Sequence, residues 1–237
     1  MLLNPYELSQ NPDRLEEIEK ASLRLVTQAI YDYRTIAEEI FREESDSVAD
    51  IGEDITREAM DRMGMSKIDQ RLFGKVDYKR ACYLFHPDFA IKQALFVDSK
   101  AEKVSGQGRA TLQTSQFSMV VRQVRFGGEI EVPGKLPTIL TIKDEVYLTT
   151  TLFVKYNYRE QESQNILESI TLAAVPNGIL QESYNPTAQD TIWIAVRNAP
   201  TLGEEFRVRL SFSRLKRKAN WRVQKIPLIS EDFRWDN

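Results

Sequence analysis

The sequence predicts an α/β fold in which N-terminal helices pack against a mixed β-sheet that continues into a β-rich C-terminal part. Two patterns support this fold class. Apolar residues recur at helical spacing up to about residue 63, and after Gly74 they occur in strand-like segments. The chain has 237 residues, of which 42% are hydrophobic, so it is long enough to bury a substantial core as one large domain or two small ones.

Two amphipathic helices are predicted at the start of the chain. The first covers residues 11–44, where the segment NPD supplies a cap and first-turn residues. Its expected inward residues are Leu15, Ile18, Leu25, Ala29, Tyr33, Ile36 and Ile40. The second helix covers residues 47–63, and its expected inward residues are Val48, Ile51, Ile55, Ala59 and Met63.

Residues 76–85 and 90–100 are predicted to form an antiparallel hairpin. The sequence HPDF between them contains a Pro-Asp turn signal. A turn in the middle of HPDF pairs residues whose numbers sum to about 175, which sets Asp77 opposite Asp98. Directly opposed side chains have Cβ atoms about 5 Å apart. Two carboxylates at that separation repel each other unless a cation lies between them.

Asp77, Asp98 and Lys100 form a candidate centre for phosphodiester hydrolysis. Lys100 shares a face with Asp98 because side chains alternate along a strand. Carboxylates suit Mg²⁺, which stabilises charge on a scissile phosphate, while the lysine orients or deprotonates the attacking water. An acid followed tens of residues later by acid-x-Lys is the spacing of PD-(D/E)xK nucleases. Asp77-Tyr78-Lys79 is a second acid-x-Lys segment, and spacing alone does not choose between the two.

The single cysteine, Cys82, and the single histidine, His86, exclude several kinds of site. An intramolecular disulfide, a cysteine-based zinc site, a His-dependent triad and a multi-His metal site are all excluded. Any metal is therefore expected to be a hard ion held by oxygen atoms. No apolar run approaches the roughly 20 residues that cross a bilayer, and MLLNPYELSQ lacks a basic n-region and a cleavage site. We therefore expect a cytoplasmic protein without a membrane partner.

Charge is distributed unevenly along the chain. Residues 1–70 contain 17 acidic and 8 basic residues, whereas the remainder contains 18 acidic and 24 basic residues. Residues 207–225 contain eight basic residues and no acid, which indicates a surface for a polyanion such as DNA, the alternative being a solvated strand and turn. Residues 206–213 alternate strictly, so we expect a strand with Arg207 and Arg209 on its free face.

The basic connection RLKRKANWR follows that strand and supplies four candidate DNA contacts. These are Arg214, Lys216, Arg217 and Arg222. Long basic side chains can pair with guanine bases in the major groove or bind phosphates, and the sequence does not apportion these roles.

Three further segments carry candidate residues. Glu53 lies on the second helix, where many nucleases of the PD-(D/E)xK superfamily place an extra acid; the alternative is a solvated helix residue. Residues 111–116 follow the loop SGQG and are predicted to open a helix whose amides meet a phosphate. Gln113 and Gln116 there are candidate DNA contacts, or simply capping and surface residues. Residues 126–137 are rich in Gly and Pro and are expected to form a loop or hairpin.

Several longer segments resemble the SfiI family of type II restriction endonucleases. VDYKR (76–80), VDSK (97–100) and TLQTSQFSM (111–119) occur in the order and approximate spacing seen in that family. TTTLFVKYNYRE (149–160), SYNP (183–186) and FSRLKRKANWRVQ (212–224) are similar to later segments of the same family. The resemblance covers nearly the whole chain and is looser over residues 117–145 and after residue 225.

The resemblance implies specific roles for the acid-x-Lys residues. Asp77 matches the first acid of the family motif, while Asp98 and Lys100 match the second acid and the catalytic lysine. Lys79 is then expected to be a neighbour that reaches for a DNA phosphate. The carbonyl of Ser99 is expected to be a further metal ligand beside Asp77 and Asp98.

The expected fold is a restriction-endonuclease-like mixed sheet flanked by N-terminal helices. We expect one domain over residues 1–237. Its expected parts are a helical part (1–70), a catalytic core (71–145) and a β-rich DNA-recognition part (146–237).

The expected activity is Mg²⁺-dependent, sequence-specific hydrolysis of double-stranded DNA. The resemblance implies 5′-phosphate and 3′-hydroxyl ends and a GC-rich, interrupted palindrome as the substrate. A palindrome requires two-fold related subunits, so we expect at least a dimer, and the resemblance favours a dimer of dimers. A cognate DNA methyltransferase is the expected functional partner. The alternatives are a non-specific or repair nuclease with the same metal centre, a non-catalytic DNA-binding protein and a purely structural protein.

Overall fold

Blocks of helix and strand follow one another along the chain in the computed structural model, which describes residues 1–44, 48–63, 66–67, 78–85, 88–104, 108–195, 207–228 and 232–237. The α-helices are α1 (Pro12–Glu43), α2 (Val48–Asp61), α3 (Gln181–Tyr184) and α4 (Phe212–Lys218). The strands are β1 (Ser66–Lys67), β2 (Tyr78–Phe85), β3 (Ala90–Lys103), β4 (Arg109–Gln113), β5 (Val120–Arg125), β6 (Gly128–Pro133), β7 (Ile139–Ile142), β8 (Glu145–Gln161), β9 (Gln164–Val175), β10 (Trp193–Ile194), β11 (Arg207–Ser211) and β12 (Val223–Pro227). Short 3₁₀ helices cover Pro5–Gln10, Thr114–Gln116, Gly178–Leu180 and Asn220–Arg222.

Helix α1 confirms the first predicted helix. The Asn11 side chain caps it by accepting a hydrogen bond from the backbone N of Arg14 at 3.2 Å, and Pro12 occupies the first turn, where its missing N–H removes no helical bond. Its buried face includes Leu15, Ile18, Leu23, Val26, Ile30, Tyr33, Ala37 and Phe41. The prediction for Leu25 is wrong: this residue is 36% exposed, because the helical period sets it just outside that stripe.

Helix α2 confirms the second predicted helix. Ile51, Ile55 and Ala59 are buried in one cluster with residues of α1 and the sheet. Val48 and Met63 are partly buried and pack against that cluster. Both helices thus bury one face and expose the other. Across the described ranges, no helix is both long and apolar enough to span a bilayer.

The strand that carries Asp98, β3, lies inside a seven-stranded sheet of order β1-β2-β3-β8-β9-β12, with β7 paired to the beginning of β8. Strands β3 and β8 run parallel from the pair Gln93–Leu148 to the pair Lys103–Tyr158. The β2–β3, β8–β9 and β9–β12 pairs are antiparallel. The sheet is therefore mixed, as predicted.

The β2–β3 hairpin has the register predicted from its turn. Tyr78 pairs with Val97 and Phe85 pairs with Ala90, so partner numbers sum to 175 throughout. Asp77, His86 and Pro87 lie outside the described residues.

Successive side chains of β3 point to opposite faces of the sheet. Leu95 and Val97 pack in one cluster with α1 and α2. Phe96 belongs to a different cluster, and Asp98 follows it on the same face. A second sheet of order β10-β11-β4 covers this other face, where its apolar residues pack in one cluster with Phe153 of β8. Asp98 therefore points away from the helices and towards the smaller sheet.

The segment predicted as a loop or hairpin over residues 126–137 supplies the turn and second strand of a hairpin whose first strand, β5, precedes it. Strands β5 and β6 pair antiparallel from Val120–Pro133 to Arg125–Gly128. The turn residues Phe126 and Gly127 have φ values of 50° and 80°, which match the left-handed turn of a tight hairpin.

Two further sequence predictions are wrong in part. Residues 111–116 do not open a helix, because β4 continues to Gln113 in a ladder with β11 and only Thr114–Gln116 make a 3₁₀ turn. The strand predicted over residues 206–213 ends at Ser211. There the hydroxyl of Ser211 accepts a hydrogen bond from the backbone N of Arg214 and caps α4, so the basic connection after it is helical.

Candidate active site

Asp98 is buried on the face of β3 that meets the smaller sheet, with 3% of its surface exposed. Its Oδ1 accepts a hydrogen bond from Nε2 of Gln116 at 2.7 Å. The other end of the Gln116 amide, Oε1, accepts a hydrogen bond from the backbone N of Gln113 at 2.8 Å. The 3₁₀ turn that follows β4 thus fixes the amide that orients the Asp98 carboxylate.

Lys100 lies two residues beyond Asp98 on the same face and is half-buried. Its Nζ donates a hydrogen bond to the carbonyl of Thr111 on β4 at 3.3 Å. The carboxylate and the ammonium of the predicted acid-x-Lys pair therefore lie side by side under one edge of the smaller sheet.

Glu102 and Lys155 extend this polar row. Lys155 on β8 is the register partner of Lys100 and is fully buried. Its Nζ lies 2.7 Å from Oε2 of Glu102 and donates a second bond, also of 2.7 Å, to the carbonyl of Arg109. Burial lowers the pKa of Lys155, while the hydrogen bond and the charge of Glu102 oppose that shift.

Like charges crowd this part of the site. Arg109 and Lys100 both repel Lys155, and Arg109 also repels Arg209. The pKa of Arg209 is lowered, first by burial and then by Arg109, while Glu102 opposes the shift. With Asp98 included, the described charges of this cluster are four cations and two carboxylates, so the net charge is positive and the cluster attracts an anion.

The remaining predicted metal-site and phosphate residues differ in how far the structure describes them. Asp77 and the side chain of Lys79 lie outside the described part of the chain. The backbone of Lys79 pairs with Phe96. Ser99 is fully buried and pairs with Val154 of the parallel strand.

Glu53 lies on α2, which covers the other face of β3. At the adjacent Gly52, an added Cβ would lie 3.0 Å from Cδ2 of Tyr156, 3.1 Å from the backbone N of Ala101 and 3.3 Å from the carbonyl carbon of Lys100. The glycine therefore lets α2 close directly onto the backbone of the lysine-bearing strand. The helix carries the half-exposed Glu53 on the opposite side of that strand from the Asp98 side chain.

Arg222 is not a surface residue, so the prediction that it contacts DNA is wrong. It is fully buried, and its Nη2 lies 2.6 Å from Oε2 of Glu19 and 3.0 Å from Oε2 of Glu16. Burial raises the pKa of Glu19 and Arg222 lowers it. Arg222 therefore compensates acids of α1 and is unavailable to a duplex.

The other predicted DNA contacts differ in their exposure. Gln116 is 3% exposed and holds Asp98, so it is reassigned to the inside of the site. Arg214 is half-buried and donates to the carbonyls of Thr191 and Trp193 at 3.3 and 2.8 Å. Lys216 pairs with Asp236 at 2.6 Å. Gln113 is half-buried, and Arg217 is exposed on α4.

Comparison with known proteins shows which family this chain belongs to. The sequence model of the family described as "Type II restriction enzyme SfiI" matches residues 27–226. The type II restriction enzyme SfiI from Streptomyces fimbriatus is 33% identical over 229 residues, which cover 90% of this chain and 84% of the relative. The chain belongs to the SfiI family of type II restriction enzymes. This membership confirms the resemblance seen in the sequence and the predicted enzyme class, a type II restriction endonuclease.

Solved structures agree with membership of the SfiI family. The crystal structure of the tetrameric restriction endonuclease SfiI bound to cognate DNA matches with a TM-score of 0.80 and 31% identity, covering 94% of this chain and 88% of that chain. The restriction endonuclease BglI bound to its DNA recognition sequence matches with a TM-score of 0.77 and 17% identity, covering 96% and 95% of the two chains. The BglI match shows the fold alone, and both matches confirm the predicted fold class.

Sequence reasoning missed Glu102 and Lys155. A signal for Glu102 was its place four residues after Asp98, which puts both on one face of a strand. A signal for Lys155 was a single lysine inside the strand-like run TTTLFVKYNY, a position that a charged residue occupies only with a partner.

Proposed function

We propose that this protein is a Mg²⁺-dependent endonuclease that cuts double-stranded DNA at a specific, palindromic, interrupted GC-rich site. The products carry 5′-phosphate and 3′-hydroxyl ends. The observation that carries the proposal is the position of Asp98 and Lys100, side by side beneath a strand that pairs with the basic strand β11.

The donor atoms of the predicted metal site fit Mg²⁺. Asp77, Asp98 and the Ser99 carbonyl offer only oxygen, the donor that this ion prefers. The Gln116 amide holds the Asp98 carboxylate in one orientation, as outer hydrogen-bond partners commonly do for metal ligands. The described register ends at the pair Tyr78–Val97, and the sequence prediction that sets Asp77 opposite Asp98 concerns the next residues along each strand. When bound, Mg²⁺ supplies charge that stabilises the negative scissile phosphate.

Lys100 positions the attacking water in this proposal. The water oxygen forms the new bond to phosphorus while the bond from phosphorus to O3′ breaks in line with it. The 3′ oxygen leaves and takes up a proton, and the phosphate stays on the 5′ end. Glu53 stays a candidate for an additional acid in the reaction, and cutting assays test whether it has that role.

The DNA-binding surface is proposed to be the exposed part of the basic stretch. Arg207 is exposed on β11, and Arg209 lies two residues further on the same face, beside the cationic cluster. Arg217 is exposed on α4, with Lys79, Gln113, Arg214 and Lys216 as flanking candidates. Exposed cations placed together supply phosphate contacts, and arginine can also read guanine.

We further propose that the protein is one domain and acts as a dimer or tetramer in the cytoplasm. A palindrome requires two-fold related subunits to cut both strands. The solved relative SfiI is tetrameric, which supports a dimer of dimers. A cognate DNA methyltransferase would protect the same sites in the host's own DNA. Whether the neighbouring gene encodes a DNA methyltransferase tests that association.

The deciding experiment is digestion of a sequenced genome with Mg²⁺, followed by mapping of the ends. The proposal expects discrete fragments with one shared sequence at each cut. A smear indicates a non-specific or repair nuclease, and binding without cutting indicates a DNA-binding protein. The matched variants are Asp98→Asn, which should bind and not cut, and Asp54→Asn, whose side chain is 71% exposed on α2 and which should cut normally.

A further inference from the structure

Lys155 links β3, the strand that carries Asp98 and Lys100, to β4, the edge strand of the smaller sheet. Its ammonium donates one hydrogen bond to the carboxylate of Glu102, which lies on the strand of Asp98 and Lys100, and another to the carbonyl of Arg109 on β4. Lys100 makes the neighbouring contact, to the carbonyl of Thr111 on the same strand. Two lysines that are register partners therefore hold alternate carbonyls of β4.

The carbonyls that the lysines hold lie on the strand that connects the site to the basic surface. β4 is an edge strand of the smaller sheet, whose order is β10-β11-β4. An edge strand leaves main-chain groups without a strand partner, and here lysine side chains take that place. On its other side β4 pairs with β11, where Thr111 is the partner of Arg209. Thr111 therefore joins Lys100, through its carbonyl, to the strand that pairs with β11.

Stability alone is a poor reason for a lysine in this position. Lys155 is fully buried, and replacing a buried ion pair with apolar residues is often neutral or stabilising. The cations of Arg109 and Lys100 repel it. The same two strands carry an exposed ion pair of the same type, Lys103 with Glu160 at 2.8 Å. That exposed pair joins β3 to β8 without the cost of burying a charge.

We propose that Lys155 is a positioning residue of the nuclease reaction, which through Glu102 and the Arg109 carbonyl sets the position of β4, and hence of the DNA-binding strand β11, relative to Asp98 and Lys100. This inference rests on the proposed function. Its consequence is that loss of Lys155 slows cutting of bound DNA and weakens discrimination between the cognate site and a site with one changed base pair. Affinity for DNA changes little, because Lys155 is buried beneath the surface that would meet the duplex.

The test compares Lys155→Met with Lys103→Met, which removes the exposed lysine of the matched pair. The probe is a duplex carrying the site mapped by genome digestion, and a second duplex carries one changed base pair. Single-turnover cutting with enzyme in excess reports the rate on bound DNA, and fluorescence anisotropy without metal reports affinity. Amide hydrogen exchange over residues 109–113 reports how firmly β4 is held in its sheet, independently of activity.

The proposal expects Lys155→Met to cut about 10- to 100-fold more slowly, the size of effect that a misplacement of about 1 Å produces. Exchange over residues 109–113 should rise, affinity should stay within about threefold of the wild type, and the rate ratio between the two duplexes should fall. Lys103→Met should match the wild type, and Lys155→Arg should restore most of the rate.

Unchanged single-turnover rates in a folded Lys155→Met protein overturn the positioning role. If Lys155→Met does not fold, Glu102→Gln takes its place, because the amide oxygen can still accept from the Lys155 ammonium, which also keeps its bond to the Arg109 carbonyl. If the wild-type protein cuts no duplex, the proposed function fails. Raised amide hydrogen exchange in the Lys155 variant would then show that Lys155 stabilises β4 and has no role in a reaction.

Discussion

Gln116 Nε2 lies 2.7 Å from Oδ1 of Asp98, and both side chains are buried. The contact joins the 3₁₀ turn after β4 to the strand that carries the predicted metal ligand. It places an amide donor behind the carboxylate, where it fixes the direction in which the oxygens point.

Replacement of Gln116 by methionine should slow cutting by about 10- to 100-fold, the cost typical of losing a hydrogen bond to a metal ligand. Binding should change little because Gln116 is buried. The measurements are single-turnover cutting and DNA affinity. Gln189→Met is the control, since Gln189 also donates to a carboxylate, Glu129, at 2.7 Å but is exposed. Weak binding with a normal rate would return Gln116 to the DNA contacts.

Replacement of Arg222 by methionine should lower the free energy of unfolding by about 3–5 kcal/mol, because Glu19 is left buried without its cation. Urea denaturation measures this loss. Arg217→Met, which changes an exposed residue, should stay within about 0.5 kcal/mol of the wild type. That control should instead reduce the slope of DNA affinity against salt by about one. A stable Arg222→Met protein with weak DNA binding would show that Arg222 contacts the duplex after all.

Replacement of Gly52 by alanine should destabilise the protein by about 1–3 kcal/mol, the usual cost of overpacking. The new Cβ meets the backbone of Lys100 and Ala101 at 3.1–3.3 Å, and a central strand yields less readily than a side chain. Cutting should fall as well, because Lys100 moves with its backbone. Thermal unfolding and cutting rates measure both effects. Gly128→Ala, whose nearest contact is 3.9 Å away, should change neither quantity. Normal cutting by Gly52→Ala would show that α2 yields instead.

Stability should depend on pH through Lys155. Its pKa in the folded protein lies below the usual value of 10.5 because of burial, despite Glu102 and with help from Arg109 and Lys100. Between the folded pKa and 10.5 the unfolded chain holds more protons, so the free energy of unfolding rises with pH in that window. Relative to Lys155→Met, wild-type stability should therefore increase as the pH rises towards 10.5, the usual pKa of lysine. Urea titrations across this range measure the difference, and a difference that falls with pH would contradict the lowered pKa.

The parts of the fold that depend on local pattern were predictable from the sequence. The helical stripe around Ile18 and the cap at Asn11 predicted α1, and the turn after Phe85 pinned the hairpin register to the pair Tyr78–Val97. In both cases the spacing of the residues along the sequence follows the period of the structure that they form. Asp98 and Lys100 shared a face for the same reason.

Contacts between distant segments were not predictable in this way. Arg222 lies in a run of basic residues and looks exposed until Glu19 of α1 is placed beside it. Glu19 itself gave a signal, since it interrupts the buried stripe beside Ile18. Residues 111–116 became a strand and a 3₁₀ turn because β11 paired with them, and a partner strand outweighs local preference.

The bond between Glu19 and Arg222 joins residues 203 positions apart. A ribosome releases the first helix long before it reaches the guanidinium that neutralises it, and the parallel partner of β3 also emerges late. An unfinished chain therefore carries Glu19 without its cation, and the buried face of α1 gains this compensating charge only after residue 222 has been made.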